Sequence, residues 1–309
     1  MNGIYNMLTG TVVLLFSVFL FSGCSGHEAV EIYRMDSAAF SGEMPDSAAL
    51  DGLELWKIYC GRGEESTDSF WTEYCGSNAV KVFYPDVVER IGSRIPAMER
   101  ELGKVKGELA KKFPEIEFPK AVYAVISPYS QSVMLSDSIM LIALNHYLGA
   151  DYPGYEGMVA GQKVLKSPEN VQTDVAEALL RSNYGFTGGD WASALSKMAD
   201  EGAVVLGVKN LTGCRLEEAV GTTYENLKLL EDNEKDIWKN MIESQLIYNS
   251  SPRISDELLK PYPTKRYPSR TGRYIGYKIA EGARRGGMCM TDLLSPDYYM
   301  SDDILKWYK

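Results

Sequence analysis

The segment Thr173-Asp174-Val175-Ala176-Glu177-Ala178-Leu179-Leu180-Arg181-Ser182-Asn183-Tyr184 decides the fold of this 309-residue chain. Its apolar residues recur with the period of an α-helix, at positions 175, 176, 179 and 180, and the helix dipole favours a carboxylate at Asp174 near the start. A second helical pattern follows Gly188-Gly189-Asp190 and continues into Asp200-Glu201-Gly202-Ala203. We therefore predict two buried helices, each with a carboxylate set into an apolar surface.

Patterns elsewhere in the chain predict further helices around a small sheet. Helical patterns cover four more segments, which are 84–109, 216–231, 234–246 and 269–285. Two β-rich runs, 121–126 and 138–144, are strand candidates, and the segment 254–268 is Pro-rich and irregular. Together these patterns predict an α+β fold that is mostly α-helical, with its helices packed on a small sheet.

The composition is that of a globular protein. Hydrophobic residues make up 45% and charged residues 24% of the chain, which is long enough to bury a full core as one large domain or two small ones. The net charge of −10 argues against nucleic acid and against a polybasic membrane-surface site, because both need clustered Lys and Arg. We therefore expect no nucleic-acid partner.

The N-terminus has the features of a lipoprotein signal. The apolar run from Leu8 to Phe21 has the length of a signal-peptide core, and Ser22-Gly23 before Cys24 resembles a bacterial lipoprotein processing site. We predict a signal peptide over 1–23 and lipidation of Cys24, with a plain secretory signal or an uncleaved anchor as alternatives. Gly26 favours the outer membrane, and no dense acidic run follows Cys24, which favours its periplasmic leaflet.

The next segment, 24–50, is polar and Ser/Ala-rich, so we predict a flexible tether followed by a single domain over 51–309. Four cysteines remain beyond Cys24, which are Cys60, Cys75, Cys214 and Cys289. An even number in an oxidising compartment permits disulfides. Cys60 and Cys75 are the nearest pair in sequence, and two free buried thiols are the alternative.

The two central helices resemble the layout of zinc peptidases, which use a His-Glu-x-x-His helix and a third Glu ligand on the next helix. If Glu177 takes the position of the catalytic Glu, the two ligand positions fall on Ala176 and Leu180, which cannot bind a metal. The whole chain contains only His27 and His146. We therefore expect no metal site and no cofactor.

Several blocks of the sequence resemble the gliding-motility lipoprotein GldB family. They are Asp137-Ser138-Ile139, Tyr147-Leu148-Gly149-Ala150-Asp151-Tyr152-Pro153, Asn233-Glu234-Lys235-Asp236-Ile237-Trp238, Leu246-Ile247-Tyr248-Asn249-Ser250 and Gly272-Arg273-Tyr274-Ile275-Gly276-Tyr277-Lys278-Ile279. The resemblance runs in order from about Val80 to Arg285, and the family also has a lipoprotein signal. It implies an α-rich fold related to zincin peptidases and a role in supporting envelope machinery. Related predicted zinc proteases share an Asp-Glu-Gly-Ala segment, which would put Glu201 at their third metal ligand.

Five residues are candidates for a remnant peptidase cleft. Glu177 and Glu201 could perform acid/base chemistry if burial separated their pKa values, or could be remnants that hydrogen-bond to Tyr or Arg. Tyr274 and Tyr277 could line the same cleft. His146 is interpreted as a structural residue, with a role as ligand or base as the alternative.

A basic cluster in the last long helix comprises Arg270, Arg273, Arg284 and Arg285. It could receive an acidic partner or a lipid phosphate, form a solvated face, or pair with the surplus carboxylates of the chain.

These features suggest a lipid-anchored, non-enzymatic protein at the inner face of the outer membrane. Its degenerate, metal-free cleft would bind a peptide or protein partner in support of envelope or gliding-type secretion machinery. The rival hypothesis is a hydrolase that works without zinc through Glu177, Glu201 and His146. A purely structural tether without a cleft is a third.

Overall fold

The computed structural model of the protein describes residues 28–45 and 49–308. The predicted signal peptide and its lipidation site, Cys24, lie outside the described residues. Within the described ranges, no helix combines the length and the apolar character needed to cross a membrane.

Four strands form one small mixed sheet. They are β1 (Ile32–Arg34), β2 (Ala121–Val125), β3 (Val133–Leu135) and β4 (Ile139–Ala143), in the spatial order β1-β2-β4-β3. The first three in this order run parallel, and β3 is antiparallel to β4. The two central strands, β2 and β4, are apolar and almost wholly buried, as expected of strands that are covered on both faces. They confirm the two strands predicted from the sequence.

Helices make up most of the described chain. They are α1 (Met35–Ser41), α2 (Leu50–Tyr59), α3 (Thr67–Gly76), α4 (Asn78–Ile91), α5 (Ile95–Lys112), α6 (Ala160–Lys163), α7 (Val171–Asn183), α8 (Ala194–Thr212), α9 (Leu216–Val220), α10 (Tyr224–Asp232), α11 (Glu234–Glu243), α12 (Pro252–Leu259), α13 (Thr271–Arg285), α14 (Met290–Leu293) and α15 (Pro296–Tyr299). Short 3₁₀ turns connect several of them. The predicted class, α+β and mostly helical, is confirmed.

Helix α8 is the centre of the helical layer. Most of its residues are small or apolar and are buried, and it contacts both α7 and α13. At the crossing with α13 the two backbones touch. A Cβ atom at Gly202 would lie 1.8 Å from the carbonyl carbon of Gly276, and a Cβ atom at Gly276 would lie 1.7 Å from the carbonyl oxygen of Met198. Only glycine fits at either position.

The start of the folded body contradicts the predicted tether over 24–50. β1 pairs with β2, and the backbone N–H of Val30 donates to the carbonyl of Glu99 at 3.0 Å. In α1, Met35, Asp36 and Ala39 are buried. A three-residue strand is too short to show a period of two, and small, polar residues supply much of the short helix, so the composition gave no signal of either element.

Other differences concern breaks within predicted helices. The helix predicted over 84–109 is two helices, because the chain forms a 3₁₀ turn at Gly92–Arg94. α4 begins earlier than predicted, at Asn78, where the Ser77 hydroxyl accepts from the backbone N–H of Val80. The helix predicted over 216–231 is divided because Gly221 adopts a left-handed φ of 76°. α12 occupies part of the segment that was predicted to be irregular.

The four cysteines in the described ranges, including Cys60 and Cys75, are free thiols. Burial raises the pKa of the Cys60 thiol to about 11, so it is protonated at neutral pH. Of the two alternatives for this pair, the structure therefore contains the free thiols.

The contact between α8 and α13 yields a first prediction. Replacing Gly276 by Ala forces a methyl group into the backbone of α8, which neither helix can avoid by a side-chain movement. We expect Gly276→Ala to lower the free energy of unfolding by about 3 kcal/mol or more. Gly92→Ala is the matched control, because a Cβ atom there meets nothing within 4 Å. Urea unfolding followed by circular dichroism measures both; equal stability of the two variants would contradict the close crossing.

Candidate functional site

The structure brings Glu177 and Glu201 together where α7, α8 and α13 meet. Glu177 lies on α7 and Glu201 on α8. Arg181 follows Glu177 by one helical turn and therefore shares its face of α7. The close approach of α8 and α13 brings a second arginine, Arg273, to the same place. Two arginines and two glutamates from three helices thus form one cluster.

The two guanidinium groups hold the carboxylates through short ion pairs. Arg273 donates two hydrogen bonds to Glu177, at 2.8 Å from Nη2 to Oε2 and 3.2 Å from Nη1 to Oε1. Its Nε lies 3.5 Å from Oε2 of Glu201. Arg181 places Nη2 2.7 Å from Oε1 of Glu201 and Nη1 2.6 Å from Oδ2 of Asp200. Glu201 is therefore shared by both arginines.

These contacts keep Glu177 ionised. Burial opposes the charge on its carboxyl, but the charge and hydrogen bonds of Arg273 outweigh burial and hold the pKa below its usual value. Arg273 itself is only 6% exposed. Taking such groups out of water is expensive, and removing one partner leaves an uncompensated charge. The geometry therefore makes Glu177 and Arg273 depend on each other.

A polar chamber opens beside the cluster. Its volume is about 190 Å³, and Asp174, Glu177, Arg270 and Arg273 contribute charged side chains to its wall. It shares Leu165, Glu218 and Gly221 with an outer groove of about 590 Å³. Two wider grooves, of about 760 and 840 Å³, are lined by α10 to α12 and the segment after α12. We place the candidate site at the chamber because the buried charges converge there.

Asp174 is a titratable group of the chamber that the sequence analysis treated only as a helix-dipole residue. Its Oδ2 accepts from the hydroxyl of Tyr147 at 2.7 Å and from that of Ser132 at 3.0 Å. Burial raises the pKa of its carboxyl to about 6 despite these bonds, and the charge of Glu177 adds to the effect. Asp174 and Glu177 lie one helical turn apart, and their surroundings raise the pKa of Asp174 and lower that of Glu177.

His146 lies in a 3₁₀ turn after β4, outside the residues that line the chamber. Its Nδ1 is 3.3 Å from Nζ of Lys166. Burial and the charge of Lys166 lower the pKa of the imidazole to about 4, so the ring is neutral at physiological pH. This environment is that of a buried structural histidine, which is the first of the two interpretations made from the sequence.

The two candidate tyrosines make their hydrogen bonds away from the cluster. The Tyr274 hydroxyl donates to Oε2 of Glu234 at 2.6 Å, and the Tyr277 hydroxyl donates to Oε1 of Glu281 at 2.9 Å. Neither residue lines the chamber. Burial is the main cause that raises the pKa of both hydroxyls. The structure therefore does not join Tyr274 and Tyr277 to Glu177 and Glu201.

The basic cluster of α13 divides between two environments. Arg273 is buried and paired inside the protein, which was one of the three alternatives for this cluster. Arg284 and Arg285 are exposed, and Arg285 lies 3.5 Å from Glu281. Sequence reasoning missed Arg181 as the partner of both glutamates. The available signal was its spacing of four from Glu177, which places the pair on one helix face.

The positions that would ligate zinc in a His-Glu-x-x-His helix hold the buried, apolar side chains of Ala176 and Leu180. Among the described residues, no group of three or more His, Cys, Asp or Glu side chains is arranged to hold a metal ion. The groups around Glu177 and Glu201 are arginines instead.

The pair of buried Arg273 and half-buried Glu177 gives a second prediction. Glu177→Gln leaves the charge of Arg273 without its bidentate partner, and Arg273→Met leaves Glu177 without its bidentate partner, while Glu201 keeps Arg181. We expect each single variant to lose about 3–5 kcal/mol of stability. The double variant should lose clearly less than the sum, because the two residues are coupled. Chemical unfolding of all four proteins in a double-mutant cycle measures the coupling.

Glu243→Gln is the control for this cycle. Glu243 pairs with Lys239 at 3.8 Å on the surface of α11, where both side chains are at least 66% exposed. Loss of this surface ion pair should lower the free energy of unfolding by less than about 1 kcal/mol. Additive effects of Glu177→Gln and Arg273→Met would show that the cluster does not depend on their contact.

Asp174 gives a prediction about pH. Its pKa is raised from 3.8 to about 6 in the folded protein, so the folded state binds the proton more tightly than the unfolded state. The resulting stability is complete below pH 3.8 and is lost as the pH rises through 6. Asp174→Asn cannot titrate at this position and serves as the reference. Relative to it, the free energy of unfolding of the wild type should fall by about 2 kcal/mol between pH 4 and pH 8. Chemical unfolding of both proteins at both pH values measures this, and a stability difference between them that does not change with pH would contradict the raised pKa.

Comparison with known proteins identifies the family of the chain. Residues 27–282 match the family described as gliding motility protein GldB. No curated protein and no solved structure matches the chain. The family match spans most of the 309 residues and includes β1 and α1 as well as the cluster-bearing helices. The chain therefore belongs to the gliding motility protein GldB family, a family of lipoproteins.

Proposed function

We propose that this chain is held at the periplasmic face of the outer membrane by a lipid on Cys24, and that its cleft binds a peptide or protein partner without catalysing a reaction. The partner would belong to the envelope or gliding-type secretion machinery. Family membership supports the lipoprotein character and the connection with gliding motility. The binding role is supported by the chemistry of the cleft.

The observation that carries this proposal is the pairing of Glu177 and Glu201 with Arg181 and Arg273. A catalytic carboxylate must accept or release a proton near the working pH. Glu177, which buried Arg273 holds ionised, is a poor base and is not available as an acid. It therefore acts as a fixed charge that stabilises the wall of the cleft.

The outer groove is suited to receive a partner. Its volume of about 590 Å³ lies within the range of small-molecule sites, which is roughly 300–1,000 Å³. Apolar side chains such as Val164 and Leu165 line it together with two basic residues, Lys163 and Arg215, and four acidic ones, Glu169, Glu217, Glu218 and Glu225. Such a mixture allows apolar burial with polar contacts that fix the register of a bound chain.

The proposed anchor would hold the body close to the membrane. Cys24 is four residues before Glu28, and four residues span at most about 14 Å. The carbonyl oxygen of Glu28 already packs on α5, because a Cβ atom at Gly103 would lie 2.2 Å from it. The lipid would therefore attach almost directly to the folded domain.

A hydrolase that works without zinc is the second candidate. The raised pKa of Asp174, about 6, is the observation that favours it, because a general base should titrate near the working pH. In this candidate Asp174 takes the role that the sequence analysis gave to Glu177, Glu201 and His146.

Site-specific photo-crosslinking in the producing cell tests the binding role. A benzophenone amino acid at Tyr224, which lines the outer groove and is 61% exposed, should form one adduct of defined mass. Ile58 on α2 is the matched control, since it is also 61% exposed and lies outside the groove. The chain purified from residue 25 onward should leave the crosslinked partner intact, with or without added zinc.

Four results would contradict this proposal. Absence of an adduct at position 224, or the same adduct at positions 224 and 58, would remove the groove as the binding site. Cleavage of the partner that requires zinc would make the protein a metallopeptidase. Cleavage without zinc that Asp174→Asn abolishes would establish the second candidate.

A further inference from the structure

Arg270 differs from the other arginines of the chamber because it lacks a carboxylate partner. Arg181 and Arg273 each pair with two or more carboxylates. Among the described residues, no carboxylate oxygen lies within 4.0 Å of the Arg270 guanidinium. Its Nη1 donates to the carbonyl of Leu259 at 2.7 Å, and its Nε is buried without an acceptor. One edge of the guanidinium, formed by Nε and Nη2, is thus left without an acceptor.

This free edge lies beside the junction of the chamber and the outer groove. Gly221 lines both cavities, and a Cβ atom at Gly221 would be 3.7 Å from Nε and 3.8 Å from Nη2 of Arg270. Because Nε is buried, Nη2 is the nitrogen that a group entering from the groove can reach.

The charge of Arg270 is incompletely compensated. Burial and the neighbouring charge of Arg273 lower the pKa of its guanidinium to about 10, although Glu177, Glu201 and Asp174 act in the opposite direction. A bound anion would supply the compensation that the fixed carboxylates do not. A charge-assisted hydrogen bond from Nη2 to a carboxylate oxygen would provide it.

The chamber limits the size and charge of this anion. Its volume of about 190 Å³ corresponds to roughly six water molecules at about 30 Å³ each, which is enough for the end of a chain and too small for a folded segment. Asp174 stands on the same wall, so a doubly charged group would be repelled more strongly than a singly charged one. Glu177 is already neutralised by Arg273.

The backbone at Arg270 is also unusual. Its φ of 60° is in the left-handed region, which costs a residue with a side chain about 1 kcal/mol and costs glycine little. The backbone N–H donates to the carbonyl of Lys260 at 2.9 Å and keeps the residue in place. Arg270 therefore projects its side chain from a position where glycine would be the more stable choice.

We propose that Arg270 binds a single carboxylate in the chamber, and that the ligand of the outer groove is a peptide that inserts its C-terminal carboxylate there. This inference rests on the proposed binding function and specifies the chemistry that the groove recognises. The carboxylate would accept from Nη2 of Arg270, while the preceding residues of the peptide lie in the groove.

The test uses two small probes that differ only in charge, N-acetyl-L-alanine and N-acetyl-L-alaninamide. In the protein from residue 25 onward with ¹⁵N-labelled arginine, N-acetyl-L-alanine should shift the Nε–H signal of Arg270 saturably at millimolar concentrations. The amide at the same concentrations should not. The signal is assigned by its loss in Arg270→Gly and Arg270→Lys. In these two variants the Nε–H signal of Arg273 is used to follow binding of N-acetyl-L-alanine. Its affinity should be at least tenfold lower in Arg270→Gly and several-fold lower in Arg270→Lys.

Arg270→Gly separates loss of binding from loss of folding. Glycine suits the φ of 60°, so this variant should unfold within about 1 kcal/mol of the wild type. If it proves unstable, Arg270→Lys keeps the charge without the two-nitrogen edge and serves in its place. Equal shifts by both probes, no saturable shift, or tighter binding of inorganic phosphate than of N-acetyl-L-alanine would each overturn the carboxylate assignment.

Crosslinking distinguishes this inference from the proposed function. Arg270→Gly should reduce the adduct formed at position 224. An adduct that persists at full yield in this variant overturns the role of Arg270 and leaves the groove as the partner site. Absence of the adduct in the wild type overturns the proposed function itself, whatever N-acetyl-L-alanine does.

Discussion

The contact between Gly202 and Gly276 is the constraint on which the rest of the structure depends. When two helices have side chains at their crossing, their axes lie about 8–10 Å apart. Glycine on both helices allows the backbones to touch. Glu201 precedes one glycine directly, and Arg273 precedes the other by one turn. The short distance between α8 and α13 therefore determines that these two charged residues meet inside the protein rather than on separate surfaces.

The arginines change what the carboxylates of the cluster can do. A buried ion pair repays its desolvation only with good geometry and further hydrogen bonds, so it is a weak source of net stability, whereas removal of one partner is strongly destabilising. Arg273 binds Glu177 through two nitrogens, and it also donates to the carbonyl of Ala219 at 3.3 Å. It thereby connects α7, α13 and α9 in one arrangement. The charges hold the wall of the chamber in place, and Asp174 and Arg270 are left as its chemically available groups.

The sequence predicted the parts of the fold that have strong periodicity. α7, α13, β2 and β4 carry long apolar patterns, and each was found where its pattern lies. β1 and α1 were missed because three strand residues and seven helix residues are too few to establish a period. The break at Gly92–Arg94 was also missed, because apolar residues keep a helical spacing across it.

The site was only partly predictable for a different reason. Periodicity indicates which face of a helix is buried, but it does not identify the side chain that will face it. Glu177 and Glu201 were selected because they are carboxylates set into apolar helices at positions that resemble the catalytic Glu and the third ligand of zinc peptidases. Of the alternatives given for them, pairing with arginine is what the structure contains. The contact of Arg181 with Glu177 could have been predicted from their spacing of four in the helix. The contact of Arg273 with Glu177 could not, because a helix crossing brings together residues that are 96 positions apart in the chain. Tyr274 was assigned to the cleft from its neighbourhood in sequence, yet one residue along a helix turns a side chain by about 100°, and its hydroxyl meets Glu234 instead.

The order of the strands separates the N-terminal entry of the chain from the chamber. β1, the first strand of the chain, forms one edge of the sheet, and β3 forms the other. Ser132, directly before β3, donates to Asp174 on the chamber wall. Three strand spacings of about 4.8 Å lie between these edges. The edge of the sheet next to the chamber is therefore roughly 14 Å from β1.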